Sequence, residues 1–350
     1  MSNKLLTLAV PTYNMEKYLA RCLDSVLCDN RDYLEVIVVN DGSKDHSSEI
    51  GHEYEAKYPD VIRVIDKENG NYGSCVNRAL AEATGKYFRM LDADDWCDTH
   101  ALNQWIEYLK SCDADMVLTV AEDRDEQRTV LNKLEAPPSV QNGRVYSIDD
   151  FDGIKLEYKD LFCSHIITYK TAILREIKLQ LQTGISYTDN EYVFFPLDHV
   201  QSVIYYNLPV YQYFVGREGQ TTQPDVLAKQ SNQICQVFHR LFSYYNLHKT
   251  EQKESVLNNQ RILLVEMLSW IYKPLFWDPV STDKLRLLRQ MESIVIADAV
   301  VYGMIADQSV MLKFYRRTGL YLDSFVARAY RLMVSLIICL KRSFYAVVRR

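Results

Sequence analysis

The sequence predicts an α/β protein with a mostly parallel central sheet flanked by helices, followed by a C-terminal helical extension. Over the first 120 residues, short apolar segments alternate with segments of helical periodicity, which is typical of parallel strands joined by crossover helices. From about residue 225 the periodicity is helical to the end of the chain. A length of 350 residues suggests about two domains, and a composition of 48% hydrophobic and 25% charged residues is that of a globular protein.

Five strands and four helices are expected in the N-terminal part. The strands are Leu5–Val10, Leu34–Val39, Val61–Ile65, Lys86–Leu91 and Asp115–Val120. The helices are Met15–Leu27, Lys44–Tyr58 with Ser43 as its N-cap, Ser74–Ala83 and Thr99–Ser111. Residues 121–145 are polar and rich in turn residues, which predicts a loop. Parallel sheets bind ligands at the carboxyl ends of their strands, so the residues that follow each strand form the candidate site.

The charge distribution argues against one class of partner and singles out the C-terminus. The chain carries 46 acidic and 40 basic residues, so a nucleic-acid-binding protein with a generally basic surface is not expected. Residues 316–350, however, contain eight basic residues and one acidic residue. Arg328, Ser335, Arg342 and Arg349 recur every seven residues in a segment whose other residues are mostly apolar, which predicts an amphipathic basic helix. Such a helix can lie on an anionic membrane or pack against protein, and both alternatives stay open.

The sequence carries no signal for export or for a membrane-spanning helix. The apolar run near the N-terminus is about six residues long, which is too short for a signal peptide, and no run of 18 apolar residues occurs. The eight cysteines form no CxxC pair and have no zinc-type spacing. Free thiols of this kind are typical of the reducing cytosol, so we expect a cytoplasmic protein.

Polar residues follow the first and second strands. Thr12, Tyr13 and Asn14 offer hydrogen bonds and a stacking ring, which suit a nucleotide base or ribose. Asp41, in an Asn-Asp-Gly-Ser segment, can accept from a base N–H or a ribose hydroxyl. A capped turn and an Asp-Gly turn without any ligand are the alternatives. The chain has neither a GxGxxG motif nor a GxxxxGK[ST] phosphate loop.

Three carboxylates within four residues follow the fourth strand, at Asp92, Asp94 and Asp95. They repel one another unless a cation or solvent relieves the repulsion, and hard oxygen ligands suit Mg²⁺ or Mn²⁺. A cation of this kind can take the charge of a departing phosphate. A solvated acidic turn is the alternative. A phosphatase of the DxDx[TV] type would carry the cluster after the first strand, with Thr or Val where this chain has Trp96.

Together these segments resemble the family 2 glycosyltransferases, which are inverting enzymes of the GT-A fold. The resemblance covers about residues 4–115 and rests on PTYNMEKYLARCLDSVL, EVIVVNDGSKDHSSEI and ENGNYGSCVNRALAEATGKYFRMLDADDW. It implies a GT-A-type sheet and a nucleotide-sugar donor, with UDP-sugars as the commonest class. It also implies a divalent cation, Mn²⁺ or Mg²⁺, at a DxD motif.

The resemblance further implies roles for individual residues. The nucleotide sugar is expected to contact Thr12, Tyr13, Asn14, Asp41, Asn77, Arg78, Asp92, Ala93 and Asp94. Asp94 is the first expected metal ligand, and Asp92, nearer the ribose or the sugar, is the second. Trp96 and His165 are expected on the acceptor side, with packing in the core as the alternative for the histidine.

Two later segments also resemble parts of the family. Residues 184–192 match a segment that ends in Glu-Asp before an aromatic residue, although Thr188 replaces the usual glutamate. The match implies that Asp189 is the catalytic base, with Glu191 as the second candidate and an acceptor-side residue. A charge at a helix N-terminus is the alternative for Asp189. Residues 211–221 match a Tyr-x-Tyr and Arg-x-Gly-Ser segment, which implies that Arg217 reaches the diphosphate; a solvated turn is the alternative.

The expected function is inverting transfer of a sugar, hexosyl in type, to an acceptor hydroxyl in cell-surface polysaccharide or glycolipid synthesis. We expect a nucleotide-sugar-binding half (1–120), an acceptor-side half (121–222), a helical region (223–315) and a basic tail (316–350). The expected partners are a saccharide or lipid-linked acceptor and an anionic membrane at the inner face of the cell. A nucleotidyltransferase or phosphatase that uses the acid cluster, and a catalytically silent module recruited to a membrane, are the alternatives.

Overall fold

The structure is a computed structural model that describes residues 4–153, 155–156, 162–217, 219–221, 223–277 and 281–319. The amphipathic helix expected over 321–350 lies outside these residues. The chain divides into two compact units. The first comprises the described residues up to Thr221 together with Asn232–Leu263, and the second comprises those of 222–231 and 264–319. The finer four-part division remains a prediction.

All the described strands belong to the first unit and form two sheets. In chain order they are β1 (Leu6–Thr12), β2 (Leu34–Asn40), β3 (Ile62–Asp66), β4 (Tyr87–Met90), β5 (Trp96–Cys97), β6 (Met116–Leu118), β7 (Ala121–Arg124), β8 (Val130–Leu134), β9 (Val145–Ser147), β10 (Ile167–Lys170), β11 (Ser202–Tyr205) and β12 (Tyr211–Phe214). The large sheet has the order β3-β2-β1-β4-β10-β6-β11-β9, and the small one has the order β5-β12-β7-β8. Strands β1 to β4 are mutually parallel, whereas β10 runs antiparallel to β4 and β6. The predicted α/β class is therefore confirmed, and the parallel part of the sheet is its N-terminal half.

The helices fall into an N-terminal set within the α/β unit and a C-terminal series. The first set is α1 (Leu19–Ser25), α2 (Ser47–Lys57), α3 (Asn71–Glu82), α4 (Thr99–Ser111), α5 (Thr171–Glu176) and α6 (Asp189–Phe194). The C-terminal series is α7 (Pro224–Lys229), α8 (Ser231–His248), α9 (Glu254–Trp277), α10 (Thr282–Val295), α11 (Ala299–Gln308) and α12 (Val310–Thr318). Within residues 225–277 and 281–319, this series confirms the helical periodicity expected from about residue 225. None of the helices in the described part of the chain is long and apolar enough to cross a membrane.

The parallel strands form the core of the first unit and bring the candidate residues to one edge. Nearly every residue of β1, β2 and β4 is buried, as expected for parallel strands covered by helices on both faces. Thr12 of β1 pairs in register with Asn40 of β2, and Ala9 of β1 pairs with Met90 of β4. The carboxyl ends of β1, β2 and β4 therefore lie at the same edge of the sheet.

The loop expected over residues 121–145 is wrong, because β7, β8 and the start of β9 lie there. β7 pairs in parallel with β12 and antiparallel with β8, which makes β8 an edge strand. Val130 and Leu131 of β8 are 44% and 55% exposed, so this strand lacks a buried apolar face. The polar composition of residues 121–145 is therefore like that of a loop. The strand that orders the hairpin, β12, is distant in the sequence.

The second helix begins at Ser47, and the prediction of Ser43 as its N-cap is wrong. The Ser43 hydroxyl oxygen accepts a hydrogen bond from the Asn14 N–H at 3.0 Å, and the Ser43 N–H donates to Asn40 Oδ1 at 3.2 Å. Ser43 thus holds the turn after β2, and the Asp45 carboxylate accepts from the Ser47 N–H at 3.0 Å. The first helix is also shorter than predicted, since it begins at Leu19.

Gly73 in α3 generates a stability prediction, because its backbone approaches another segment closely. A Cβ at this position would lie 2.1 Å from the Gln182 carbonyl oxygen. Alanine normally favours a helix over glycine by ~1 kcal/mol, but a clash with a backbone oxygen outweighs that gain. We expect Gly73→Ala to lower the free energy of unfolding by about 1–3 kcal/mol in urea denaturation. Gly303→Ala in α11 is the matched control, since a Cβ there meets nothing within 4 Å. Equal effects of the two substitutions would contradict the prediction.

Candidate active site

Asp41 occupies the carboxyl end of β2 and is buried, with 3% of its surface exposed. Its N–H donates to the Thr12 carbonyl oxygen at 2.8 Å, which ties the ends of β1 and β2 together. Its Oδ1 accepts from Lys67 Nζ at 2.5 Å and from the Gly70 N–H at 2.9 Å. Tyr13, by contrast, is 45% exposed, so its ring is free to stack on a ligand.

Thr12 and Asn14 support this strand end from within the protein. The Thr12 hydroxyl is buried and donates to the Val10 carbonyl oxygen at 3.1 Å. Asn14 adopts a left-handed φ of 54°, and its Oδ1 accepts from the Lys44 N–H at 2.8 Å. These hydrogen bonds stabilise the turn beside Asp41. The side chains of Thr12 and Asn14 therefore have a structural role here.

Asn77 and Arg78 of α3, which the resemblance assigned to the nucleotide, make other contacts. The Asn77 amide exchanges two hydrogen bonds of 2.8 Å with the backbone N–H and carbonyl oxygen of Leu181. Arg78 donates to Glu82 at 2.8 Å on the exposed side of α3. Asn77 thus fixes the segment that precedes α6, and the contacts recorded for the described residues do not join either side chain to the acid cluster.

Asp92, the first carboxylate after β4, is held by groups from two other parts of the unit. The Tyr72 hydroxyl of α3 donates to Asp92 Oδ1 at 2.8 Å. Asp92 Oδ2 lies 3.7 Å from His165 Nε2. The His165 ring is stacked between Tyr211 and Tyr213, with centroid distances of 4.7 Å to each.

Asp94 and Asp95 are both buried and have different partners. Asp94 Oδ2 forms an ion pair with Arg217 Nε at 2.6 Å. Asp95 Oδ2 accepts from the Tyr211 hydroxyl at 2.6 Å, and its Oδ1 accepts from the Phe214 N–H at 2.7 Å. β12 and the residues that follow it therefore supply donors to Asp94 and Asp95. Ala93, which separates Asp92 from Asp94, is buried.

Burial and mutual repulsion raise the pKa values of the buried carboxyls in the acid cluster. Burial and the nearby Asp92 raise the pKa of Asp94, although Arg217 partly opposes this shift. Burial, Asp94 and Asp92 raise the pKa of Asp95 well above its usual range. Burial would lower the pKa of His165, but Cys163 and Asp92 raise it well above its ordinary value. A proton or a cation is therefore favoured among these groups.

A group of possible metal ligands exists here, and it differs in part from the set expected from the sequence. Asp92 and Asp95 each offer a carboxylate oxygen and His165 offers a ring nitrogen, and these three atoms lie within 4.8 Å of one another. Two carboxylates and an imidazole suit a divalent cation. Asp94, the first ligand expected from the DxD resemblance, is instead paired with Arg217. The position of Asp95 in the acidic run was visible in the sequence, whereas only the fold brings His165 beside it.

Asp189 is the first residue of α6, and its electrostatic surroundings belong to the same site. Burial raises the pKa of Asp189 to about 6, with a further contribution from Asp92, while His165 acts in the opposite direction. The N–H groups of Asp189 and Asn190 at the start of α6 also favour the ionised form. The structure therefore brings Asp189 under the influence of the acid cluster.

Glu191 and Trp96 are enclosed by protein. Glu191 is fully buried, and its Oε2 accepts from Arg240 Nη1 at 2.8 Å and from the Gln182 N–H at 2.7 Å. Trp96 is 8% exposed, and the Arg21 guanidinium lies 4.2 Å from its ring centroid. Both side chains have the surroundings of structural groups.

Comparison with known proteins identifies the family. Residues 7–178 match the family model described as glycosyl transferase family 2. This segment belongs to that family. EpsH of Bacillus subtilis (strain 168), named as a glycosyltransferase, is 36% identical over 106 residues, which is 30% of this chain and 30% of EpsH. The matches to the first curated relatives span between 13% and 40% of those proteins' own length.

Two solved structures share the fold. TarS from S. aureus, in complex with UDP-GlcNAc, aligns with a TM-score of 0.50 and 18% identity over 76% of this chain and 81% of that chain. The mannosyltransferase PcManGT from Pyrobaculum calidifontis, in complex with GDP-Man and Mn²⁺, aligns with a TM-score of 0.51 and 15% identity over 86% and 83%. The expected GT-A fold is confirmed by these alignments.

Proposed function

We propose that the protein is an inverting glycosyltransferase that moves a sugar from a nucleotide sugar to an acceptor hydroxyl. The observation that carries the proposal is the acid cluster after β4, where Asp92, Asp95 and His165 bring ligand atoms within 4.8 Å of one another. Burial and Asp92 of this cluster raise the pKa of Asp189 to about 6. A carboxylate with a pKa near neutrality suits general base catalysis. Membership of glycosyl transferase family 2 supports the reaction class. The ligands of TarS and PcManGT, UDP-GlcNAc and GDP-Man, are of the donor class that we propose.

In the proposed reaction, Asp189 takes the proton from the acceptor hydroxyl as its oxygen attacks the anomeric carbon. The attack comes from the face opposite the diphosphate, and the bond from the anomeric carbon to the diphosphate oxygen breaks with its electron pair. The products are the inverted glycoside and a nucleoside diphosphate. Tyr13 would stack on the base, Asp41 would accept from it, and Arg217 would place positive charge near the diphosphate.

The side chains of the acid cluster fit a divalent cation. Two carboxylates and an imidazole offer ligand atoms within 4.8 Å, and the raised pKa values of Asp94 and Asp95 favour added positive charge. We propose that Asp92, Asp95 and His165 would hold Mn²⁺ or Mg²⁺, with Asp94 as a further ligand. When bound, such a cation would offset the charge of the departing diphosphate.

The finer assignments follow the family resemblance. We propose a UDP-sugar donor, a hexosyl group and a saccharide or lipid-linked acceptor in polysaccharide or glycolipid synthesis. His165 stays a candidate for the acceptor side, since its side chain is 21% exposed. Trp96 and Glu191 would shape the acceptor side through their packing within the protein, without touching the acceptor.

Detection of the products tests the reaction class. The full-length protein is incubated with UDP-sugars, Mn²⁺ and a mixture of acceptors, and free UDP is measured. Release of UDP, increased by one of the acceptors, supports transfer. Pyrophosphate released from a nucleoside triphosphate would indicate a nucleotidyltransferase, and phosphate released from a phosphomonoester would indicate a phosphatase. A catalytically silent module would give none of these products.

The proposed role of Asp189 as the base predicts how turnover responds to its substitution and to pH. Asp189→Asn should keep donor binding but lose ~10²-fold or more in kcat, because the general base is removed. Only the ionised base accepts a proton, so wild-type kcat/KM should fall as the pH drops below about 6, the raised pKa of Asp189 in the free protein, and at lower pH when Mn²⁺ offsets the charge of Asp92. Glu191→Gln is the comparison variant. It should lower Tm, because Glu191 is buried and paired with Arg240, and it should leave kcat nearly unchanged. A mild effect of Asp189→Asn together with a large kcat loss in Glu191→Gln would reverse the assignment.

The cation site predicts a dependence that is measurable without turnover. Mn²⁺ should raise the Tm of the wild-type protein, because a ligand at 100 times its Kd adds ~2.7 kcal/mol to stability. Asp92→Asn should remove this rise, whereas Asp113→Asn, which alters a carboxylate that is 80% exposed, should retain it. EDTA should also remove most transfer activity. Full activity in EDTA, or an unchanged Mn²⁺ response in Asp92→Asn, would contradict the cation role.

We propose from the sequence that residues 321–350 hold the protein on the cytoplasmic face of the cell membrane. Each Lys or Arg near an anionic surface contributes ~1 kcal/mol, and an amphipathic helix adds the burial of its apolar face. The full-length protein should sediment with anionic vesicles at low salt. Truncation after Gly319 should abolish sedimentation, and high salt should weaken it by screening the charges. A full-length protein that stays in the supernatant would exclude the anchor.

A further inference from the structure

The Lys67 ammonium, which follows β3, is enclosed by three oxygen acceptors. Its Nζ lies 2.5 Å from Asp41 Oδ1, 2.8 Å from Ser74 Oγ and 2.5 Å from the Glu68 carbonyl oxygen. The Asp41 side chain is 4% exposed and that of Lys67 is 23% exposed. The ion pair is therefore largely shielded from water, and three hydrogen bonds fix the orientation of the cation.

These contacts use only one side of the Asp41 carboxylate. Oδ1 accepts from both Lys67 and the Gly70 N–H, whereas no N–H or O–H donor from the described residues reaches Oδ2. The Cys75 thiol is beside the carboxylate, and burial together with Asp41 raises the pKa of this thiol to about 12. A thiol is a weak donor, so Oδ2 keeps its capacity to accept a hydrogen bond from a ligand.

We propose that Lys67 is a positioning residue that makes the site selective for the base of the donor nucleotide, an inference that rests on the nucleotide-sugar function proposed above. Lys67 and the Gly70 N–H both bind Oδ1 of Asp41, which leaves Oδ2 as the oxygen that can accept from a base. Such an acceptor pairs with an imide N–H, as on N3 of uracil or N1 of guanine. It repels N3 of cytosine and N1 of adenine, which are themselves acceptors. Lys67 acts through Asp41 and makes no contact with the base.

Removal of the ammonium would change the chemistry of Asp41 as well as its support. A buried carboxylate that loses its cation favours the neutral, protonated form. A protonated carboxyl can donate as well as accept, so it tolerates a base that presents an acceptor. Discrimination between bases should then fall. A merely structural role of Lys67 would weaken the binding of every nucleotide by the same factor.

Calorimetric titration of the full-length protein with UDP and with CDP, in the presence of Mn²⁺, tests the inference. We expect the wild-type protein to bind UDP at least about tenfold more tightly than CDP, because a buried acceptor facing another acceptor is left unpaired. In Lys67→Met this ratio should fall to about threefold or less, and Lys67→Arg should restore most of it. Lys57→Met, at an exposed lysine that ends α2, is the control and should keep the wild-type ratio.

The outcomes separate the inference from the proposed function. A wild-type UDP/CDP ratio that survives in Lys67→Met, with both affinities reduced, would overturn the role of Lys67 while leaving nucleotide-sugar binding intact. A wild-type protein that binds neither nucleotide would overturn the proposed function and this inference together. If Lys67→Met does not fold, Lys67→Gln, which keeps an N–H donor without charge, is judged by the same ratio.

Discussion

The concentration of negative charge after β4 is the constraint on which the organisation of the site depends. Three carboxylates lie within four residues, and burial together with their mutual repulsion raises the pKa values of Asp94 and Asp95. The fold offsets this repulsion with groups from distant parts of the chain. Tyr211 binds Asp95, and Arg217 pairs with Asp94. The small sheet makes these contacts possible, because β12 pairs with β5 directly after the acidic run.

The same charge also sets the properties of the proposed base. Asp92 contributes to the raised pKa of Asp189, and His165 opposes it. His165 is in turn charged more readily because of Asp92. The proton affinity of Asp189 is therefore coupled to the charge state of the groups that would face the donor diphosphate. A base tuned in this way becomes more acidic when positive charge enters the cluster.

The sequence was sufficient to predict the parts of the structure that local patterns encode. Buried parallel strands are continuous apolar runs, so β1 to β4 and the helices between them were visible, as were Asp41, Asp92, Asp94 and Asp189 from their positions after strands or in family motifs. The hairpin over 121–145 was not visible, because β8 is exposed and β7 is ordered by distant β12. The contacts of Lys67 with Asp41 and of Tyr72 with Asp92 were missed for the same reason, since they depend on how α3 and β3 meet the neighbouring strand ends.

Two largely buried carboxylate–cation pairs, Asp41–Lys67 and Asp94–Arg217, lie near the strand ends and differ in their surroundings. In the Asp41–Lys67 pair, the ammonium also donates to Ser74, and the remaining carboxylate oxygen can recognise a neutral N–H. The Asp94–Arg217 pair lies in the same acidic run as Asp92, which faces His165, and Asp95, whose hydrogen-bond donors are the neutral Tyr211 hydroxyl and Phe214 N–H. A diphosphate that attracts Arg217 leaves Asp94 in greater need of a cation, and a cation near Asp94 releases Arg217 toward the diphosphate. Donor and cation should therefore favour each other's binding at this site, whereas the proposed base subsite at Asp41 would respond to the hydrogen-bond pattern of the base.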